Sequence, residues 1–136
     1  MKYKVELKVS NTALFDTFIQ TVLEDINAFT GEKMNPMDLK KGFSYRKNLS
    51  MQEKRPKYAQ VTFLDYKYPE YYHIHYHSDK NDYHTILHVE SKGKKSVLMY
   101  EKRTNMDKES KEEKLSLLKK FYFYCLQRHI QKHVAT

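Results

Sequence analysis

The sequence predicts an α+β domain: a curved antiparallel sheet of about six strands with a long C-terminal helix against its apolar face. Three observations predict it. Alternation of apolar and polar residues recurs at 3–9 and five more times between 43 and 102. Apolar residues at helical spacing flank this β region, after Ser10 and again from Ser110 to His133. The connections between the later strands are too short for a crossover helix, so those strands run antiparallel.

The chain opens with Tyr3, Val5, Leu7 and Val9 alternating with Lys4, Glu6 and Lys8, a half-buried strand. Ser10, Asn11 and Thr12 follow, residues whose side chains cap helix N-termini. Leu14, Phe15, Phe18, Val22, Leu23 and Ile26 then form one helical stripe, and Gly31 is the natural C-cap. Asn35 to Gly42, with Pro36 at the first helical position, predicts a very short second helix or a turn.

From Phe43 the period becomes two. Strands are expected at Phe43–Leu49, Tyr58–Tyr66, Tyr71–Ser78, Tyr83–Glu90 and Ser96–Lys102. Gln52 to Lys57, polar and containing Pro56, is a connection. Asp79 to Asp82 and the Lys92-Gly93 segment are hairpin turns, the glycine supplying a positive φ. The last helix starts at Ser110, where Glu113 completes a capping box, or earlier at Thr104 with Asp107, and carries Leu115, Leu118, Phe121, Tyr122, Cys125, Leu126, His129 and Ile130. No repeat, low-complexity tract or linker divides the 136 residues, so a single domain over 1–136 is expected.

This element order resembles the START-like helix-grip (SRPBCC) superfamily, which includes birch-pollen-allergen-like and polyketide-cyclase-like proteins. The resemblance rests on the strand–cap–helix opening from Val5 to Ile26 and on the closing helix from Ser110 to His133. It covers nearly the whole chain and is nearest to a small uncharacterised bacterial branch. It implies a cavity between the long helix and the sheet, often holding a hydrophobic ligand. It carries over no catalytic motif. The chain has one strand fewer than the usual seven.

Composition narrows the function classes. A single cysteine, Cys125, excludes an intrachain disulfide and points to a reducing compartment. The N-terminus runs straight into a strand without an apolar leader, and no stretch approaches the ~18 apolar residues of a membrane span. The expectation is a cytoplasmic protein. The formal charge of +8 favours anionic partners. The basic residues are scattered over turns and polar faces, however, and flank no aromatic stacking motif. Twelve Tyr and seven Phe are a heavy aromatic load, suited to cavity walls and interfaces.

Two constellations could carry chemistry. His73, His75 and His77 alternate on one strand, and His84 and His88 follow on the next. If Asp79–Asp82 is the loop, His77 pairs with His84, His75 with Ile86 and His73 with His88. Five histidines then share one face, the natural setting for a transition metal. The opposite face, with Tyr72, Ile74, Tyr76, Tyr83, Thr85, Leu87 and Val89, is the more apolar. The histidines are therefore expected outside, in water and without a neighbouring carboxylate, and no metal is assigned to them. The second constellation is the last helix. At 100° per residue Leu115, Leu118, Tyr122, Cys125, Leu126 and His129 share an arc expected to be buried. His129 is then either a core histidine or a polar group orienting a ligand, and Tyr45, Tyr72, Tyr100, Tyr122 and Cys125 line the same pocket. A Cys125–His129 nucleophile pair lacks a stabilising cation.

No catalytic set is recognisable, and no cofactor is implied. The reading is a binding protein for a small hydrophobic ligand, with no enzymatic activity. The alternative is a basic interaction module contacting nucleic acid, the less favoured partner, or an acidic protein. A third is an enzyme of cyclase or hydrolase type centred on His129 and the tyrosines. Leu117, Phe123 and Tyr124 lie off the main stripe of the last helix and suggest a homodimer contact.

Overall fold

The computed structural model of the chain describes residues 2–48, 58–104 and 117–134. Strand β1 (Lys2–Leu7) leads into helix α1 (Asn11–Thr30), and a single 3-10 turn follows at Pro36–Asp38. Strands β2 (Ser44–Asn48), β3 (Tyr58–Lys67), β4 (Tyr71–His77), β5 (Asp82–Lys92) and β6 (Lys95–Arg103) precede helix α2 (Leu117–Val134). The expected start of α2 at Ser110 with Glu113, and the 52–57 connection, lie outside the described residues.

The six strands form one antiparallel sheet in the order β1-β6-β5-β4-β3-β2. Consecutive strands from β2 to β6 are neighbours, as hairpin connections dictate. β1 closes the far edge beside β6, where the buried Ser96 hydroxyl donates to the Val9 carbonyl at 2.7 Å. The two-residue loop between Lys92 and Lys95 turns on Gly93, at φ 63°.

Helix α1 begins where the Ser10 hydroxyl accepts from the Ala13 N–H, and ends at Gly31, whose φ of 74° L-residues rarely adopt. It presents two adjacent lines of side chains. Leu14, Phe15, Ile19, Leu23 and Ile26 are buried in the core with Leu87, Val89, Leu98 and Phe63 of the sheet. Phe18 and Val22, placed by periodicity on the same stripe, are only half-buried and face a cavity. Ile19 is the core residue that the periodicity did not single out.

Asn35–Gly42 makes a 3-10 turn and no more helix, because Leu39 is extended and turns its side chain into the core. The Tyr66 hydroxyl donates to the Pro36 carbonyl at 2.7 Å and anchors that turn. Tyr66 reaches it because β3 bulges between Phe63 and Asp65. The extra residue, Leu64, reverses the parity of the strand, so that Tyr66 joins Ala59, Val61 and Phe63 on the inner side.

The orientation of α2 corrects the sequence expectation. Among its described side chains Phe123 and Ile130 are buried, while Tyr122, Tyr124, Cys125 and His129 are exposed. The arc drawn through Tyr122, Cys125 and His129 is therefore not the packed one, and Phe123 is core rather than dimer contact. Gln127 Oε1 accepts from the Lys8 N–H at 2.8 Å, and Gln131 Nε2 donates to the Lys8 carbonyl at 3.0 Å. Those two bonds satisfy the backbone just beyond β1, on a helix whose Phe123 and Ile130 are in the core. Among the described residues, neither helix is long and apolar enough to cross a membrane.

Candidate functional site

A cavity of about 620 Å³ opens between the inner face of the sheet and the two helices. Its walls follow from the strand alternation. Tyr3 of β1, Tyr100 of β6, Tyr83 and Thr85 of β5, Tyr72, Ile74 and Tyr76 of β4, Val61 of β3 and Tyr45 of β2 share the inner face. α1 contributes Thr17, Phe18, Thr21, Val22 and Asp25, and α2 contributes Lys119, Tyr122 and Phe123.

The tyrosine rings make paired surfaces. Tyr76 and Tyr83 stack with centroids 4.6 Å apart, and Tyr3 and Tyr100 stack at 5.2 Å. Tyr3 also meets Phe123 edge-on at 5.6 Å. The Lys119 ammonium lies 4.9 Å above the Tyr3 ring and that of Lys102 lies 4.2 Å above Tyr83, both within cation–π range. Lys47 pairs with Asp25 at 2.9 Å, so this wall carries a joined pair of opposite charges. Burial raises the phenol pKa values of Tyr45 and Tyr72, and pushes that of Tyr3 up to about 12, aided by Tyr100 and Tyr122. These hydroxyls are neutral at physiological pH. Apart from the Lys47–Asp25 pair and Lys119, the cavity therefore offers apolar ring faces with neutral polar tips, apt for holding a molecule.

The structure brings Tyr45, Tyr72, Tyr100 and Tyr122 together around this cavity. Cys125 and His129 do not line it. His129 lies with Ile130 in a separate groove of about 530 Å³, against Ser10, Thr12, Ala13, Asp16, Thr17 and Gln20 of the α1 start. Tyr3, Tyr76 and Tyr83 are lining residues that sequence reasoning did not single out. The signal was available, since Tyr76 and Tyr83 stand on the face read as the more apolar and Tyr3 pairs with Tyr100 across β1 and β6.

The histidine-rich hairpin occupies the other face of the sheet. The pairing is two residues away from expectation. His75 faces His84, His73 faces Ile86, Tyr71 faces His88, and His77 faces Asp82. The loop is Ser78–Asn81, closed by the Ser78 N–H on the Asn81 carbonyl and by the Ser78 hydroxyl accepting from the Asn81 N–H. The five histidines still share one face, but a carboxylate now lies among them. Asp82 contacts His75 at 2.9 Å and His77 at 2.6 Å. Those hydrogen bonds hold its carboxyl below the usual carboxylate range. His84 stacks on His75 with centroids 4.4 Å apart, and its Nδ1 lies 2.9 Å from His73 Nε2. The group is not simply bathed in water, since His73, His75 and His84 are half-buried. Burial and then the Arg103 guanidinium push the His73 pKa down, against the pull of Asp65. Burial and then His75 do the same for His84.

With this geometry in hand, comparison with known proteins places the chain. The family model described as a domain of unknown function, DUF3284, matches residues 1–123.

The chain belongs to the DUF3284 family.

This DUF3284 chain has the START-like helix-grip fold. It is similar to the crystal structure of Ara h 8.0201, with 10% identity over 97% of this chain and 91% of that one, and a TM-score of 0.50. It also matches CalU16 from Micromonospora echinospora, with 12% identity, 96% and 71% of the two chains covered and a TM-score of 0.43. A protein of unknown function from Staphylococcus aureus, SA2116, matches with 12% identity, 99% and 95% covered and a TM-score of 0.47. A comparison with curated proteins finds no sequence match.

Proposed function

We propose that this DUF3284 protein binds a small, largely apolar and aromatic molecule in the tyrosine-lined cavity without transforming it. The observation that carries the reading is the cavity itself, about 620 Å³ and walled by Tyr3, Tyr45, Tyr72, Tyr76, Tyr83, Tyr100 and Tyr122. Its size lies within the roughly 300–1,000 Å³ of small-molecule sites. Stacked ring faces favour a planar ligand, and neutral hydroxyls favour one with a few hydrogen-bonding groups at its edge.

The fit to a basic interaction module is poorer. Lys47, Lys67, Lys95 and Arg103 each pair with a carboxylate, on different parts of the sheet. The lone free cysteine suits a cytoplasmic location. The exposed Tyr124 on α2 suits a homodimer.

Native mass spectrometry of the chain purified gently from cells tests these points together. It should read a bound mass of a few hundred daltons and twice the subunit mass. An Ile74→Trp variant that fills the cavity should lose the bound mass. Thermal stability should rise with added ligand by the amount mass action requires, with little dependence on salt. A nucleic-acid partner would instead show affinity falling steeply with salt. A chain carrying no bound species, and stabilised by no member of a panel of aromatic metabolites, would sink the binding reading.

A further inference from the structure

The strongest constellation outside the cavity is on the opposite face, where β4 meets β5. His75 and His77 are alternate residues of β4, so their rings project from the same side. Asp82 opens β5 directly across from His77. The carboxylate lies between the two rings, with Oδ1 2.9 Å from His75 Nε2 and Oδ2 2.6 Å from His77 Nδ1. One potential ligand atom from each of the three residues lies within 4.8 Å of the others.

We propose that His75, His77 and Asp82 form a binding site for a single first-row divalent transition metal ion of the Zn²⁺ type.

Three lines of chemistry support it. The donor set is two imidazole nitrogens and one carboxylate, which suits Zn²⁺ and its neighbours better than Mg²⁺ or Ca²⁺. The spacing needs little change. Ligand atoms about 2.1 Å from a tetrahedral zinc ion are separated by about 3.4 Å, so each ring withdraws from Asp82 by less than about 1 Å, and donor atoms now up to 4.8 Å apart draw in to that separation. The supporting shell is already built. His84 stacks on His75 at an interplanar angle of 8°, and is itself held by His73 through the 2.9 Å nitrogen–nitrogen contact. A ring braced in this way cannot turn freely from the ion, which is the usual contribution of outer-shell partners.

The exchange balances. A carboxylate only accepts, so each short contact in the metal-free chain carries an imidazole N–H. On metal binding a neutral ring moves that proton to its other nitrogen, and an imidazolium releases it to solvent. Side-chain exposure of 62% at His77 and 51% at Asp82 leaves the remaining coordination positions open to water. The site depends in no way on the tyrosine cavity being occupied.

Equilibrium dialysis of the full, chelator-stripped chain against Zn²⁺ near neutral pH tests the proposal. One equivalent should bind with sub-micromolar affinity. Asp82→Asn and His77→Gln should each weaken it by about tenfold or more. His88→Gln, a histidine of the same face outside the cluster, should leave it within about twofold. Imidazole NMR resonances of His75 and His77 should move on loading, and that of His88 should not. Melting curves of the unloaded variants separate lost ligands from lost fold, since all three changes are at or near the surface. If Zn²⁺ binds only weakly, at several equivalents, or equally well to Asp82→Asn, the histidines hold metal adventitiously and the proposal fails.

Discussion

Phe15 shows what a single side chain carries. It is fully buried, and its ring meets Tyr66, Tyr68 and Tyr72 edge-on at 6.0, 5.5 and 5.9 Å. Those partners come from the end of β3, the turn after it and the start of β4, so one α1 residue fastens the helix to three successive segments. Phe15→Ala should cost about 3–5 kcal/mol, the combined loss of burial and the cavity left behind. Urea unfolding should show the whole loss as a lower midpoint at unchanged slope. A loss below about 1 kcal/mol would mean that the tyrosines close over the gap. Legibility at this scale was uneven. Tyr45, Tyr72 and Tyr100 could be placed on the inner face from strand parity alone. Cys125 and His129 could not be placed, because the helix turns Phe123 and Ile130 into the core and also bonds Lys8 through Gln127 and Gln131, a pairing that periodicity does not show.

Among elements, α2 is the one whose described side chains enter the core at few points. Its described side chains bury only Phe123 and Ile130, whereas α1 buries Leu14, Phe15, Ile19, Leu23 and Ile26. The two Lys8 backbone bonds add to its docking. A Gln127→Ala and Gln131→Ala double variant should loosen α2 by about 1–3 kcal/mol, from about 0.5–1.5 kcal/mol per bond. Hydrogen exchange would localise the effect, with the Lys8 amide and α2 exchanging faster while α1 amides keep their protection. Uniform acceleration of both helices would contradict this local role. The element order was legible because the change of hydrophobic period, from 3.6 to 2 and back, marks each boundary. The bulge at Leu64 and the hairpin register were not. Periodicity cannot show an inserted residue, and both Ser78–Asn81 and Asp79–Asp82 are chemically good loops. The choice between them moves Asp82 in among the histidines, so a two-residue uncertainty concealed the only carboxylate contact to His75 and His77 among the described residues.

At the scale of the whole molecule, the tyrosines couple the fold to alkaline pH. Tyr3, against Tyr100 and Phe123, has its pKa pushed by burial from an ordinary 10.0 up to about 12. Tyr68 is also held at about 12, by burial and then by the 2.6 Å hydrogen bond it donates to Asp16. Tyr45, Tyr66 and Tyr72 are raised as well, each chiefly by burial. The folded chain therefore holds these phenol protons more tightly than the unfolded chain, where they leave near pH 10. Below about pH 10 both states are protonated, and the stabilisation is fully present. As pH rises from about 10 towards about 12 the unfolded state binds fewer protons than the folded one, and stability falls. Tyrosinate absorbance at 295 nm should thus show a late fraction that appears together with the loss of near-ultraviolet ellipticity. Tyr3, Tyr45 and Tyr72 line the cavity, so an apolar occupant would keep water from their hydroxyls and move that late step to higher pH. If every tyrosine instead titrated reversibly near pH 10 with ellipticity unchanged, the rings would be in contact with water and the cavity would have no dry wall to offer a ligand.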